Sequence, residues 1–332
     1  MAPLAISLGD PGGVGPELIC EAWARRDSER LPPFLVCGGA GLLREAARAR
    51  GPAVPIKSIA SPADAAAAFG QSLPVLGDRD GAYKPGEPDE QGARLALLSL
   101  QQATGLALSG AAGAVVTGPI AKAELAKVGF AFPGQTEFVA DACGVAADDA
   151  VMMLAGPSLR TVPLTVHVAL AEVPRLISAE LIVRRCRIVA AALRGDFGIE
   201  SPRLAVCGLN PHAGEHGRMG DEEQRIIAPA IAILRSAGID ATGPHPADSL
   251  FAPRARATYD VAIAMYHDQA LVPLKALDFD HGVNVTLGLP VVRTSPDHGT
   301  AFAIAGKRTA DADATIAAIR MAGEIAARRA AA

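Results

Sequence analysis

The sequence is poor in the features that mark nucleic-acid-binding and membrane proteins. Aromatic residues make up 4% of the 332 residues, and the formal net charge is −4 with acidic and basic residues interspersed. Because there is no basic block and no interleaving of aromatic and basic residues, we expect neither nucleic acid nor an anionic membrane as a partner. No apolar run approaches a membrane span, and the N-terminus MAPLAISLGDPGG lacks the regions of a signal peptide. These absences predict a cytoplasmic protein.

Cysteine is also scarce, and its spacing excludes two kinds of site. The chain has five cysteines, none of them in a C-x-x-C pair: Cys20, Cys37, Cys143, Cys186 and Cys207. A zinc knuckle requires closely spaced pairs, and a disulfide framework favours an even number. The pattern therefore predicts buried free thiols in a reducing compartment.

What the sequence does contain is a regular alternation of two patterns. Short β-branched runs such as FLVC are followed by Ala- and Leu-rich stretches such as LLREAARAR. This alternation predicts a mainly parallel sheet covered by helices. Apolar spacing of three and four residues predicts helices at 179–194, 222–237 and 313–329. A chain of this length exceeds one ordinary core, which predicts either one very large domain or two α/β lobes.

Three histidines occupy a shared sequence context. Each follows a strand-like run and opens a polar or Gly-rich loop: His167 in LTVHVAL, His212 in LAVCGLNPHAGEHG and His267 in VAIAMYHDQALVPLK. Imidazole is a common ligand of catalytic metals, and ligand crevices in α/β folds open at the carboxyl ends of strands. The pattern predicts one metal site with an open position. The alternative is three ordinary histidines with satisfied hydrogen bonds.

Donors suited to an anion are concentrated near the C-terminal third. Lys275, Asn284 and Arg293 lie in apolar, strand-like sequence, where an unpaired charge is costly. A phosphate or carboxylate on the substrate would offset that cost. Thr136, in FPGQTEFVA, either donates to such an anion or caps the helix that follows.

Two glycine-rich segments require separate interpretations. GDPGGVGPE reads as a turn between a strand and a helix, and it either presents N–H groups to an anion or forms a tight turn. FLVCGGAGLLREA resembles a dinucleotide fingerprint, but Arg44 stands at the third glycine position and no acidic residue follows at the required distance. We therefore expect any nicotinamide cofactor to be held in another manner.

Eight motifs, in order, resemble those of the 4-hydroxythreonine-4-phosphate dehydrogenase family of pyridoxal phosphate biosynthesis. They are GDPGGVGPE, TGPIAK, FPGQTEF, LNPHAGE, PADSLF, AMYHDQALVPLK, GVNVTLGLP and RTSPDHGTA. The resemblance implies a two-lobed α/β fold like that of isocitrate and isopropylmalate dehydrogenases, with mainly parallel sheets and flanking helices. It implies a cofactor-side lobe of residues 1–133 and 285–332 and an inserted lobe of 134–284 with the metal ligands and dimer contacts. The active site would lie in the cleft between them.

The resemblance also implies roles for individual residues. His167, His212 and His267 would bind Zn, Mg or Co at the subunit interface of a homodimer. The substrate-binding positions would be Gln135, Thr136, Lys275, Asn284 and Arg293. The catalytic candidates would be Lys275, Asp268 and Asp248, and the loop for NAD or NADP would be Asp297, His298, Gly299 and Thr300. The family usually has His where this chain has Gln135.

The implied reaction is the metal-dependent oxidation of 4-phosphohydroxy-L-threonine, a small phosphorylated hydroxy amino acid, with NAD or NADP as the hydride acceptor. The resulting 2-amino-3-oxo-4-phosphooxybutanoate would lose CO₂ to give 3-amino-2-oxopropyl phosphate. Related enzymes oxidise D-erythronate or D-threonate 4-phosphate or cyclic dihydrodiols, and these remain alternatives. Three histidines beside a phosphate site would also suit a metal-dependent phosphohydrolase.

Overall fold

The computed structural model describes residues 2–331. Up to residue 147 the chain forms strands β1 (Leu4–Ser7), β2 (Phe34–Cys37), β3 (Ile56–Ile59), β4 (Leu73–Leu76) and β5 (Ala114–Thr117). The helices of this part are α1 (Gly15–Ala24), α2 (Ala40–Arg50), α3 (Ala65–Phe69), α4 (Glu90–Leu108), α5 (Lys122–Lys127) and α6 (Gln135–Ala142).

The remainder of the chain continues the alternation. Residues 148–288 form strands β6 (Val151–Ala155), β7 (Arg160–Pro163), β8 (Arg203–Cys207), β9 (Asp240–His245), β10 (Val261–Ala264) and β11 (Val283–Leu287). The helices of this part are α7 (Val173–Leu176), α8 (Ala179–Gly195), α9 (Ala228–Ser236), α10 (Ala247–Leu250), α11 (Pro253–Arg256) and α12 (His267–Asp278). The chain ends with β12 (Arg293–Pro296) and α13 (Asp313–Ala331).

Contacts divide the chain into two compact units. Unit 1 comprises the residues up to 147 together with those from 289 onward, and unit 2 comprises residues 148–288. Unit 2 is therefore a continuous insertion into a discontinuous unit 1. Residues 134–147 belong to unit 1, so Gln135 and Thr136 share that unit with Arg293.

The strands of unit 1 are all parallel. Their order is β3-β4-β2-β1-β5-β12. Every residue of β1, β2, β4, β5 and β12 is buried. Burial on both faces explains why these strands read as nearly continuous apolar runs. The carboxyl ends of β1, β5 and β12 therefore lie side by side.

The strands of unit 2 are mixed. Their order is β11-β6-β7-β10-β8-β9, and β6 runs antiparallel to both β11 and β7. The four strands β7, β10, β8 and β9 are parallel to one another, so their carboxyl ends meet at one edge. The prediction of an α/β fold with mainly parallel strands and flanking helices is confirmed.

Two of the three predicted helices are confirmed with nearly the expected bounds, as α8 and α13. The helix predicted over 222–237 differs in its first part. Glu223–Ile227 forms a π-helical turn, and the regular helix α9 begins only at Ala228. The side chain of Glu223 is buried, and its carboxylate accepts hydrogen bonds from the loop that precedes the helix. The π turn inserts one extra residue, which turns this side chain toward the loop.

The five cysteines are free, and four of them, Cys20, Cys37, Cys186 and Cys207, are buried while Cys143 is half-buried. Burial raises the pKa of each of those four thiols to about 12, which keeps them protonated and unreactive at neutral pH. Among the helices of residues 2–331, none combines the length and the apolar character needed to cross a membrane.

Candidate active site

The three predicted histidines follow three neighbouring strands of unit 2. His167 follows β7, His267 opens the helix after β10, and His212 lies in the loop after β8. Because β10 pairs in parallel with both β7 and β8, all three side chains start from the same edge. Asp248 joins them at this edge, since α10 follows β9 and packs against the His212 loop.

His167 and His267 form a close pair. Their ring centroids are 5.8 Å apart with an interplanar angle of 41°. Both line a cavity of about 270 Å³ that Leu170, Tyr266 and Asp268 also line. The cavity combines imidazoles with an apolar wall, an arrangement suited to a small ligand.

Asp268 fixes the orientation of His267. The Nδ1 atom of His267 lies 2.7 Å from Oδ1 of Asp268. An ionised carboxylate only accepts hydrogen bonds, so Nδ1 carries the proton and Nε2 is the nitrogen with a lone pair. Carboxylate-linked histidines of this kind are typical of metal ligands, because the carboxylate sets the tautomer and raises the basicity of the ring.

The donor set suits a divalent metal, although the three histidines are not assembled around one point. Metal–nitrogen distances of about 2.0–2.1 Å place the ring centroids of two imidazoles on one tetrahedral ion roughly 5 Å apart. The His167 and His267 pair is close to that separation. Within residues 2–331, however, no group of three or more His, Cys, Asp and Glu side chains is arranged to hold a metal ion.

His212 lies in a loop of unusual backbone conformation. Five consecutive residues from His212 to His216 have φ between 40° and 76°. Left-handed conformations cost non-glycine residues roughly 1–2 kcal/mol each, so four such residues represent a considerable local strain. The side chain of His212 is exposed. Backbone hydrogen bonds within the loop, such as Ala213 N–H to the carbonyl of Asn210 (3.1 Å), and the contacts of Glu223 with the loop hold this conformation in place.

The remaining predicted substrate residues of unit 2 lie on α12 and β11. Lys275 is half-buried on α12, eight residues beyond His267 and therefore about 12 Å farther along the helix axis. Asn284 is half-buried on β11, and its Oδ1 atom is buried with no hydrogen-bond partner among the described residues. Neither residue is among those that line the cavity of the histidine pair.

In unit 1, Arg293 is the centre of a second polar site. The guanidinium group is buried at the start of β12. It donates to Oγ1 of Thr117 (2.8 Å) and of Thr136 (3.3 Å) and to Oε1 of Gln135 (3.3 Å). Burial lowers the pKa of Arg293 to about 10, and the charge of Glu137 acts in the opposite direction. A buried guanidinium group is suited to a phosphate or carboxylate.

Gln135 connects Arg293 to the neighbouring loop. Its Nε2 atom donates to the carbonyl of Gly118 at 3.0 Å, while its Oε1 accepts from Arg293. The predicted residues Gln135, Thr136 and Arg293 are therefore brought together. Sequence reasoning did not assign Thr117 to this site, although the motif TGPIAK contains it.

The glycine-rich turn after β1 lies against the proposed cofactor loop. The carbonyl of Thr300 accepts from the N–H of Val14, and a Cβ on Gly13 would lie 2.7 Å from the same oxygen. The N–H of Gly12 donates to Oδ1 of Asp10 at 2.9 Å. These N–H groups are engaged within the protein, which favours the tight-turn interpretation over anion binding. Asp297 to Thr300 directly follow β12.

Burial dominates the electrostatics of Asp10. The residue is buried, and its Oδ2 atom has no hydrogen-bond partner among the described residues. Desolvation raises the pKa of Asp10, the hydrogen bond from Gly12 opposes that rise, and the charges of Glu124 and Asp89 add to it. A buried carboxyl at the edge shared with the proposed cofactor loop costs stability, which is common at functional sites.

The segment that resembles a dinucleotide fingerprint is already occupied by the protein itself. The carboxylate of Asp80 accepts from the N–H groups of Gly41 (2.6 Å) and Leu42 (3.1 Å) at the start of α2. A Cβ on Gly41 would lie 2.5 Å from the same carboxylate. This helix terminus is therefore closed to a pyrophosphate, in agreement with the rejection of a Rossmann-type site.

The fold and these side chains define an α/β enzyme whose polar groups gather at the carboxyl ends of parallel strands. Comparison with known proteins places it further. A family model described as pyridoxal phosphate biosynthetic protein PdxA matches residues 30–322, and the chain belongs to this family. Its curated relatives are dehydrogenases, and the chain is accordingly an oxidoreductase.

Individual relatives match over almost the whole chain. A 4-hydroxythreonine-4-phosphate dehydrogenase of Erythrobacter litoralis is 65% identical, covering 99% of this chain and 98% of its own. One from Zymomonas mobilis is 51% identical, covering 99% and 97%. The crystal structure of the enzyme of that name from Klebsiella pneumoniae superimposes with a TM-score of 0.85 at 37% identity, covering 98% of both chains.

Proposed function

We propose that this chain oxidises 4-phosphohydroxy-L-threonine with NAD or NADP, in pyridoxal 5′-phosphate biosynthesis. The observation that carries the proposal is the buried Arg293 site with Thr136 and Gln135, in a chain 65% identical to a dehydrogenase of that name. In the reaction, a hydride leaves C3 of the substrate for the nicotinamide, and a proton leaves the C3 hydroxyl. The β-keto acid formed then loses its C1 carboxylate as CO₂, which gives 3-amino-2-oxopropyl phosphate.

The phosphorylated substrate is assigned to five side chains. Arg293 contributes a buried positive charge, and Thr136 and Gln135 hold its guanidinium in place. Asn284 is half-buried and contributes a side-chain amide whose Nδ2 can donate to the anion, and Lys275 contributes a half-buried amino group. Charge-assisted hydrogen bonds to phosphate are roughly twice as strong as neutral ones, so the buried charge of Arg293 favours a dianionic substrate over a neutral diol.

His167, His212 and His267 are the proposed ligands of a divalent metal, Zn, Mg or Co. When bound, the metal would supply Lewis-acid polarisation of the reacting oxygen and stabilise the enolate left by decarboxylation. Asp268 holds the Nδ1 proton of His267, so this carboxylate orients the ligand. The acceptor of the hydroxyl proton is Lys275 or Asp268, and Asp248 is the further carboxylate at the same strand edge.

NAD or NADP is assigned to the loop from Asp297 to Thr300. This loop follows β12, whose neighbour in the sheet is β5. Its contact with the glycine-rich turn at Gly13 and Val14 gives it a fixed support. Loops at the carboxyl ends of adjacent parallel strands are the usual place for such ligands in α/β proteins.

A homodimer with the active site at the subunit interface is the proposed assembly. Exposed apolar side chains lie near the histidine pair and on the helix that His267 opens: Leu170 is 65% exposed, Val272 63% and Phe279, just past that helix, 72%. Large exposed apolar side chains mark interaction surfaces. Lys275 lies about 12 Å along α12 from His267. At that distance it would contribute to the active site of the other subunit.

The proposal is tested with the purified protein, 4-phosphohydroxy-L-threonine, either nicotinamide cofactor and each metal in turn. Reduced nicotinamide and free phosphate are followed together. Formation of reduced cofactor without phosphate release is the expected result, whereas phosphate release alone would identify a phosphohydrolase. D-Erythronate 4-phosphate, D-threonate 4-phosphate and a cyclic dihydrodiol serve as competing substrates, and a larger kcat/KM for any of them would reassign the substrate.

A further inference from the structure

The loop that carries His212 has a strained backbone. Its φ values are 52° at His212, 51° at Ala213, 76° at Gly214, 40° at Glu215 and 58° at His216. Only glycine adopts such values without strain, and four of these five residues are not glycine. A contact that anchors the chain beside these residues would help to hold the strained backbone, and His212 with it, in place.

Glu223 provides contacts of the kind such an anchor requires. The residue is 3% exposed at the start of the π turn. Its Oε1 atom accepts from the backbone N–H groups of Leu209 (2.8 Å) and Asn210 (2.7 Å), and its Oε2 accepts from Nδ2 of Asn210 (3.0 Å). The loop also packs directly on this carboxylate, since a Cβ on Gly214 would lie 2.5 Å from Oε2.

We propose that Glu223 is a positioning residue that fixes the left-handed loop and thereby the direction of the His212 imidazole. Glu223 holds the two residues before Pro211 and contacts Gly214, so it grips the chain on both sides of His212. This inference rests on the proposed function, because the metal is what makes the direction of His212 matter. π turns occur frequently at functional sites, where they turn one side chain out of the helical register.

The chemistry of the contact makes the carboxylate difficult to replace. All three hydrogen bonds to Glu223 come from donors, and a carboxylate offers acceptors on both oxygens. In Glu223→Gln, the amide oxygen can serve Leu209 and Asn210, but the NH₂ group then faces the donor Nδ2 of Asn210. Glu223→Asp retains both acceptors and the charge but withdraws them by one methylene.

The adjacent acid supplies a matched control. Glu222 accepts from Nδ2 of Asn210 at 2.7 Å, and neither backbone N–H of the pair donates to it. Glu222→Gln therefore makes the same change of charge one residue away, without removing the backbone anchor.

The experiment measures the stability of the loop in the metal-free protein and, separately, the affinity of the site for a metal. Hydrogen exchange of the amides of Leu209 and Asn210 is measured in the metal-free protein. Co²⁺ affinity and the visible d–d spectrum are measured by titration of the wild type, Glu223→Gln, Glu223→Asp, Glu222→Gln, His212→Ala and the His212→Ala/Glu223→Gln double variant. The thermal midpoint of each protein shows whether it is folded.

We expect Glu223→Gln to accelerate exchange of both amides about tenfold, because a neutral amide oxygen replaces the charged acceptor and the NH₂ group faces the donor Nδ2 of Asn210, and to weaken Co²⁺ binding about 10- to 100-fold. Glu223→Asp, which retains the charge, is expected to fall between this variant and the wild type. Glu222→Gln should match the wild type in both measurements. In the His212→Ala background, Glu223→Gln should weaken Co²⁺ binding no further, because Glu223 acts through His212.

Two results would overturn the inference while leaving the proposed function intact. One is unchanged exchange and unchanged Co²⁺ affinity in folded Glu223→Gln. The other is a further loss of affinity in the double variant, which would show a general structural role. If the wild type binds no Co²⁺, or binds it as weakly as His212→Ala, the metal role in the proposed function fails, and the positioning of a ligand fails with it.

Discussion

Replacement of Gln135 by histidine tests the geometry around Arg293 through the pKa of the introduced imidazole. Oε1 of Gln135 lies 3.3 Å from Nη2 of Arg293, so a protonated imidazole there would lie beside a buried guanidinium. Two like charges at about 4 Å repel by about 4 kcal/mol at an effective dielectric constant of about 20. This corresponds to about three pKa units. Glu137 offsets part of the repulsion, and we expect a pKa below about 5.

The sign of the stability effect follows from this lowered pKa. Below about pH 6.5 the unfolded chain of Gln135→His takes up a proton that the folded chain does not, so the variant loses stability as the pH falls. At pH 5 the free energy of unfolding is lower than at pH 7.5 by about 2 kcal/mol, because pH 5 is about 1.5 units below the unfolded pKa of about 6.5 and each unit contributes about 1.4 kcal/mol. At pH 7.5 the neutral imidazole still donates one hydrogen bond, and activity should stay within about tenfold of wild type.

The assay is an NMR titration of isotope-labelled histidine, with urea unfolding at pH 5 and pH 7.5. Gln101→His is the control, because Gln101 is exposed on α4 and an imidazole there should titrate normally. A pKa at or above 6.5 for the imidazole introduced by Gln135→His, or an equal stability loss in both variants, would refute the placement of this side chain against Arg293.

Three further predictions follow from the two strand edges. His212→Ala should abolish turnover and lower bound metal by more than about tenfold while the thermal midpoint is retained. His216→Ala, in the same loop, should leave turnover and bound metal unchanged, and full activity of His212→Ala would show that His212 is not part of the site. Asp10→Asn should raise the free energy of unfolding more at pH 8 than at pH 4, because burial raises the pKa of Asp10 and the folded chain loses stability as that carboxyl ionises. Urea unfolding at the two pH values measures the change, and an equal change at both would contradict the prediction. The proposed interface site takes His167 and His212 from one subunit and His267 from the other. Mixing inactive His167→Ala and His267→Ala proteins should then restore up to about a quarter of wild-type activity, since half of the dimers are mixed and each mixed dimer has one intact site. No recovery after verified subunit exchange would assign both histidines to one chain, in which their ring centroids lie 5.8 Å apart.

The sequence predicted best what depends on local pattern. The apolar runs before His212 and His267 are the strands β8 and β10 in the structure. The run Leu164–Val166 before His167 lies just beyond the strand β7, which ends at Pro163. The helices at 179–194 and 313–329 likewise follow from apolar spacing and appear as α8 and α13. Alternation of strands and helices was sufficient to predict a mainly parallel sheet.

The contacts that complete the sites depend on pairs distant in the chain. Thr117 meets Arg293 because β5 and β12 are neighbours in the sheet, an order that local pattern does not specify. The inward turn of Glu223 depends on donors in the preceding loop, and helical periodicity over 222–237 gave no sign of the π turn. Residue propensities do not predict the left-handed backbone conformation of His212 either, because this conformation is unfavourable for residues other than glycine.

The central claim is hydride transfer from C3 of 4-phosphohydroxy-L-threonine to a nicotinamide, and substrate deuterated at C3 tests it most directly. The purified protein is incubated with this substrate, a divalent metal and NAD or NADP, and the reduced cofactor is analysed by mass spectrometry. The account predicts reduced cofactor that carries one deuterium, together with release of CO₂. Reduced cofactor without deuterium, or free phosphate with no reduced cofactor, would contradict it.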